Sequence, residues 1–200
     1  MKPLSGLSLR QALIAALFFG SSAAQAHIGH GTSGIYEGLI HPFGLDHLLA
    51  MVAVGVWSVS ALPARKAWLG PATFMTALVI SAMFGVAGVT VPHLESLISL
   101  SVVLFGAMLI LSRTQLPENV GLGLIAIAAS LHGLAHGAET PETGFAAYAI
   151  GFLLTTATLH CGGVGIGLGI RRQFSNHAPW IIRGIGIGCS GAGIYLFSQL

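Results

Sequence analysis

Two short stretches of the chain concentrate the side chains able to hold a cation. The first is His41-Pro42-Phe43-Gly44-Leu45-Asp46-His47, and the second is His132-Gly133-Leu134-Ala135-His136-Gly137-Ala138-Glu139. Both sit inside apolar runs, where an ionisable group is costly unless it is paired, neutralised or metal-bound. Asp46 falls roughly eleven residues into its run, about 16 Å along a regular helix. That depth is near the middle of a bilayer. No Lys or Arg lies within any apolar run except at its cytoplasmic edge, so a bound cation or a histidinium is the partner left for this carboxylate. His132 and His136 are one turn apart on one helical face, and Glu139 continues that face. The small residues between them admit close approach of another backbone. Imidazole together with carboxylate suits Ni(II), Co(II), Zn(II) or Fe(II), whereas thiolate-rich sites favour softer ions. Hydrogen-bonded glue between helices accounts well for one such histidine. It accounts poorly for His41, His47, His132 and His136 converging with Asp46 and Glu139.

Other positions carry weaker signals. Glu95 follows Pro92 at the start of the third apolar run, as a ligand or as a helix-start carboxylate interacting with the dipole. His27 and His30 would offer an amine and imidazoles at a processed N-terminus, or simply be a solvated end. His160-Cys161 lies deep in the fifth run and reads better as a packed pair than as an exit ligand. His93 and His177 are loop residues.

These groups must be positioned by elements in contact with lipid. The chain has 200 residues, of which 54% are hydrophobic and only 7% charged, with mean hydropathy +0.84. A soluble domain carries about 25% charge because its surface faces water. The composition therefore excludes a cytosolic enzyme and a disordered scaffold. A net charge of +2 and a pI near 8.8 are too small to signal a nucleic-acid partner. Cys161 and Cys189 form no CxxC pair and no disulfide framework.

Lys2 and Arg10, a short apolar stretch Ala12 to Phe19, and Ala24-Gln25-Ala26 have the order of a cleavable signal peptide. The expected division is residues 1–26 as signal peptide and 27–200 as a transmembrane domain. Six apolar runs follow, at 35–62, 71–91, 94–111, 120–137, 145–170 and 180–197, separated by Pro, Gly or charge. They lack the alternation of barrel strands, so an all-α integral membrane protein of six transmembrane helices is expected. Pro42 and Gly44 should break or distort the first helix. With His27 outside, Arg65, Lys66, Arg113, Arg171, Arg172 and Arg183 all fall on the cytoplasmic side, as the positive-inside rule requires. Glu37, Glu95, Glu139 and Glu142 fall near the outer face. Both termini of the mature chain are then outside. Glycines crowd the last two helices, where Gly165/Gly169 and Gly184/Gly188 read as small-xxx-small packing pairs and as a possible surface for self-association.

The run His41 to Met51 (HPFGLDHLLAM) resembles the first-helix signature of the HupE/UreJ family of nickel/cobalt permeases. The run Leu131 to Glu139 (LHGLAHGAE) resembles the fourth-helix signature, and Pro92-His93-Leu94-Glu95 is similar to the acidic start of the third helix. The resemblance covers essentially the whole chain. It implies secondary uptake of Ni(II) or Co(II) across a bacterial inner membrane, supplying hydrogenase or urease maturation. It maps the family's transport residues onto His41, Asp46, His47, Glu95, His132, His136 and Glu139. The metal is then cargo, and no tightly bound cofactor is implied. Two departures stand out. Four residues separate His41 from Asp46 where the family motif has five, which on a regular helix rotates His41 by about 100° and leaves the Pro42 break to absorb it. Leu131 replaces the usual Phe.

Competing functions fit less well. An intramembrane zinc protease shows HExxH, but Gly133 occupies the position of the general base. A histidine-box oxygenase needs more buried histidines. A haem-binding electron carrier would need axial histidines placed across a bundle, for which His47 or His132 would serve. No ATP-binding motif is present, so uphill transport would depend on an ion gradient, the membrane potential or a separate partner. A transporter, and not an enzyme, is the reading that uses all of these residues.

Overall fold

The computed structural model describes residues 34–112, 116–140 and 144–200, and every regular element among them is helical. The expected signal peptide, with His27, His30, Arg113 and Glu142, lies outside the described residues. The elements are α1 (Ile35–Ile40), a 3-10 turn (His41–Phe43), α2 (Leu45–Ala61), a second 3-10 turn (Ala64–Lys66), α3 (Leu69–Val86), α4 (Leu94–Ile110), α5 (Glu118–Ala138), α6 (Phe145–Gln173) and α7 (Ala178–Phe197).

Four stretches are long and apolar enough to cross a membrane: Ala64–Val86, Glu118–Ala138, Phe145–Gln173 and Ala178–Phe197. A fifth arises if α1 and α2 count as one span, although they meet at a bend of 74°. Helix α4, with 17 residues, is apolar but shorter. The described residues are thus all-helical, with four to five candidate spans among them.

The break in the first run follows from its residues. Pro42 lacks a backbone donor and sits in the 3-10 turn. Gly44 then takes φ −50° and ψ 139°, outside helical space, before α2 begins. The expected depth of Asp46 is corrected accordingly. Asp46 stands in the first turn of a new helix, so a path length counted along one straight helix does not apply to it.

Helix α2 is the centre of the bundle. Ala50, Met51, Val54 and Val56 have no exposed surface, and Trp57 and Val59 almost none. Such burial on all sides needs neighbours all round, and α3, α4, α6 and α7 supply them. The main pairings are α3 with α5, α4 with α7, and α6 with both α1 and α2. Large apolar side chains such as Ile80, Met83, Trp180, Ile187 and Ile194 remain exposed on the outside, as expected of a bundle whose solvent is hydrocarbon.

Glycine makes the tight crossings, though not at the expected positions. A Cβ on Gly55 would lie 2.5 Å from the His160 carbonyl oxygen, and one on Gly163 would lie 2.4 Å from that of Val52. Gly133 and Gly137 set α5 against the carbonyls of Leu78 and Ala82 in the same way, and Gly186 and Gly193 set α7 against α4. Gly165, Gly169, Gly184 and Gly188 meet nothing within 4 Å. The two pairs read as packing motifs therefore face outward, and their neighbours one or two residues away do the packing.

The two ends of the bundle differ in charge. At one end Lys66 pairs with Glu118 at 2.8 Å, and Arg171 Nη1 donates to the Val59 carbonyl at 2.7 Å. The other end carries the starts of α2 and α4 and the end of α5, and with them Asp46, Glu95 and Glu139.

Candidate metal centre

The chemistry gathers where the first span breaks. The 3-10 turn presents His41, the first turn of α2 presents Asp46 and His47, and the last turn of α5 presents His136. One ligand nitrogen from each of His41, His47 and His136 lies within 4.8 Å of the other two. The ring centroids of His41 and His136 are 4.8 Å apart, and those of His47 and His136 are 4.4 Å apart. His47 and His136 are buried and His41 is half-buried. Close approach of α5 to α3 through Gly133 and Gly137 fixes the height at which His136 meets this turn. With four residues between His41 and Asp46, the 3-10 turn and the non-helical Gly44 still bring His41 beside His136.

Hydrogen bonds decide which nitrogens are available. Asp46 Oδ1 lies 2.7 Å from His47 Nδ1 and also accepts the His47 backbone N–H at 2.9 Å. An ionised carboxylate only accepts, so Nδ1 of His47 carries the proton and Nε2 presents its lone pair. That Nε2 faces Nε2 of His136, whose Nδ1 is buried without a partner. A carboxylate behind an imidazole is the usual support for a metal-ligating histidine, fixing tautomer and orientation. Two imidazole nitrogens directed at one point, with a third beside them, form a nitrogen-rich donor set suited to Ni(II), Co(II) or Zn(II). Glu95 and Glu139 lie on exposed surface at the rim, and both act electrostatically on His47. They add negative potential beside the imidazole cluster.

His132 takes a different position from the one its spacing suggests. Its ring is 4.9 Å from that of His47, but its Nε2 meets Ser101 Oγ at 2.9 Å. It stands behind the cluster, with no exposed surface. Ser101 is a partner that sequence reasoning misses; a serine inside the third apolar run was its only signal. Tyr148 and Phe152 were also missed. Both pack edge-on against His41, and Phe152 also lies 4.6 Å from His136. Aromatic residues in a lipid-facing helix give no signal of this role. An open apolar cleft of about 360 Å³ between α3 and α6 also reaches His136. Its aliphatic and aromatic lining suits an acyl chain and not a hydrated ion.

Comparison with known proteins places the chain in a family. Residues 14–196 match the family model described as HupE / UreJ protein. A relative named Protein HupE, from Rhizobium leguminosarum bv. viciae, is 39% identical over 147 residues, covering 72% of this chain and 76% of that protein. No solved structure matches. The match spans the break that carries His41, Asp46 and His47 as well as the helix that carries His132 and His136, and the chain belongs to the HupE/UreJ family of multi-pass membrane proteins.

Proposed function

We propose that this protein takes up a divalent transition-metal cation, Ni(II) or Co(II), through the cluster at the break in the first span. The observation that carries this reading is the triad of His41, His47 and His136, with Asp46 locking the tautomer of His47. In this reading α4 is a sixth span, residues 1–26 are removed on export, and the chain sits in a bacterial inner membrane with both termini outside. The supplied metal serves hydrogenase or urease maturation.

The steps follow from the residues. Glu37, Glu95 and Glu139 at the acidic end raise the local cation concentration. The ion sheds water as His47 Nε2 and His136 Nε2 take it up beside His41, and the negative charge of Asp46 offsets that of the ion through His47. A negative-inside potential favours entry of a divalent cation by about 4.6 kcal/mol per 100 mV, twice the single-charge value. The site must also release its cargo, so moderate affinity serves transport better than tight binding. Radiotracer accumulation of Ni(II), with Co(II) and Zn(II) as competitors, in cells expressing the chain tests this reading. Accumulation no greater than in cells carrying His47→Ala would overturn it.

A further inference from the structure

Phe152 packs against two of the three imidazoles of the cluster and also lines the open cleft between α3 and α6. Its ring centroid is 4.6 Å from that of His136 and 5.9 Å from that of His41, and only 4% of its surface is exposed. Tyr148, one turn earlier on α6, lies nearly parallel to it at 16°, with centroids 6.2 Å apart, and meets His41 edge-on. Tyr148 and His136 line the same cleft. Phe152 is therefore shared between the metal site and a cavity that opens on the outside of the bundle.

The backbone fixes this position closely. A Cβ on Gly38 of α1 would fall onto the carbonyl oxygen of Tyr148 and lie 2.9 Å from the Phe152 backbone nitrogen, and one on Gly151 would fall onto the carbonyl oxygen of Ile35. The Thr155 hydroxyl donates to the Leu39 carbonyl at 2.9 Å. Helix α1 is thus locked to the turn of α6 that carries Tyr148 and Phe152, and α1 runs directly into the 3-10 turn that carries His41. Ring and imidazoles keep one register because their backbones touch.

A phenyl ring beside a cation site acts by exclusion. It has no lone pair to offer, and it fills space that water would otherwise take. Mg(II) keeps several of its waters in octahedral geometry, and Mn(II) suits carboxylate, carbonyl and water. Co(II), Ni(II) and Zn(II) gain more from imidazole, so they lose less where oxygen is withheld. We propose that Phe152, backed by Tyr148, is a specificity-determining residue of the metal site. It closes the flank of His41 and His136 to water and oxygen donors, and so favours cations that accept imidazole nitrogen over Mn(II) and Mg(II). This rests on the transport reading above and names which cations that reading admits.

The test uses the purified full chain in lipid nanodiscs, loaded with Co(II) and titrated with Mn(II) as competitor. Visible absorption of Co(II) is strong in a low-coordinate nitrogen site and weak in a six-coordinate one. Phe152→Asn puts an amide oxygen beside the imidazoles. It is expected to release Co(II) at an Mn(II)-to-Co(II) ratio about ten-fold lower than wild type, with weakened absorption. Phe152→Leu keeps an apolar side chain and is expected to hold the wild-type preference within about two-fold. Wild type that binds no Co(II) would sink the transport reading itself. Wild type that binds Co(II), with an unchanged preference in Phe152→Asn, would overturn the role of Phe152 alone. So would a preference lost equally in Phe152→Leu, or an equal weakening of both cations in the two variants, which is what packing alone produces. If Phe152→Asn is not monodisperse, Phe152→Ala decides, because the space it leaves admits a water ligand. Its preference for Co(II) should narrow about ten-fold, and an unchanged preference would overturn the proposal.

Discussion

The ring of His41 stands edge-on to that of His136, at 84° with centroids 4.8 Å apart, although one belongs to a 3-10 turn and the other to the end of a 21-residue helix. This contact exists because the first span is broken. A straight helix through residues 41–47 would carry His41 about 140° away from Asp46, whereas the turn brings it beside His47.

Asp46→Asn keeps the size of the side chain and removes its charge. An amide can donate where the carboxylate only accepts, so the tautomer of His47 is no longer held and the compensating charge is lost. Ni(II) accumulation should drop on the order of 10–100-fold at unchanged membrane insertion. Normal accumulation by well-expressed protein would exclude Asp46 as the support of the site.

His136→Ala removes one of the two nitrogens directed at a common point and should match Asp46→Asn in effect. His177→Ala is the control, since His177 is exposed at the start of α7, at the basic end and away from the cluster. If both variants lost uptake equally, histidine loss would be acting through folding.

The glycines divide into two classes with opposite tolerance. Gly137→Ala would put a Cβ 2.1 Å from the Ala82 carbonyl, whereas Gly184→Ala meets open space. The first should destabilise the bundle by about 1–3 kcal/mol through overpacking, and the second should be close to neutral. Thermal denaturation in detergent checks this, and equal melting temperatures would contradict the α3–α5 crossing.

Topology is checked with single cysteines in a background where Cys161 and Cys189 are replaced by serine. Arg65→Cys should react only with reagents that reach the cytoplasm, and Thr90→Cys should react from outside. Both positions are exposed in loops at opposite ends of α3. The reverse pattern would invert the proposed orientation.

Protons compete with metal for imidazole nitrogen, and an unperturbed histidine titrates near pH 6.5, roughly. Uptake should therefore fall as external pH goes from about 7.5 to about 5.5 at constant membrane potential, with added metal partly restoring the rate. A flat profile, or a rise with acid, would count against histidine ligation as the rate-setting step.

The sequence by itself determined the solvent, the helical class, the break at Pro42 and Gly44, and the identity of the residues with chemistry. Low charge, long apolar runs and costly intramembrane histidines are properties of composition and order, which need no contact to be read. Tertiary structure decided which imidazoles meet. His132 and His136 share a face, yet the nitrogen of one meets Ser101 on α4 and that of the other meets His47 on α2. The glycine register was hidden for a related reason. A helix in water marks its outer face with charge, but a helix in lipid is apolar on every side. Its hydropathy pattern therefore cannot say whether Gly163 and Gly167, or Gly165 and Gly169, turn inward; the position of α2 makes that choice.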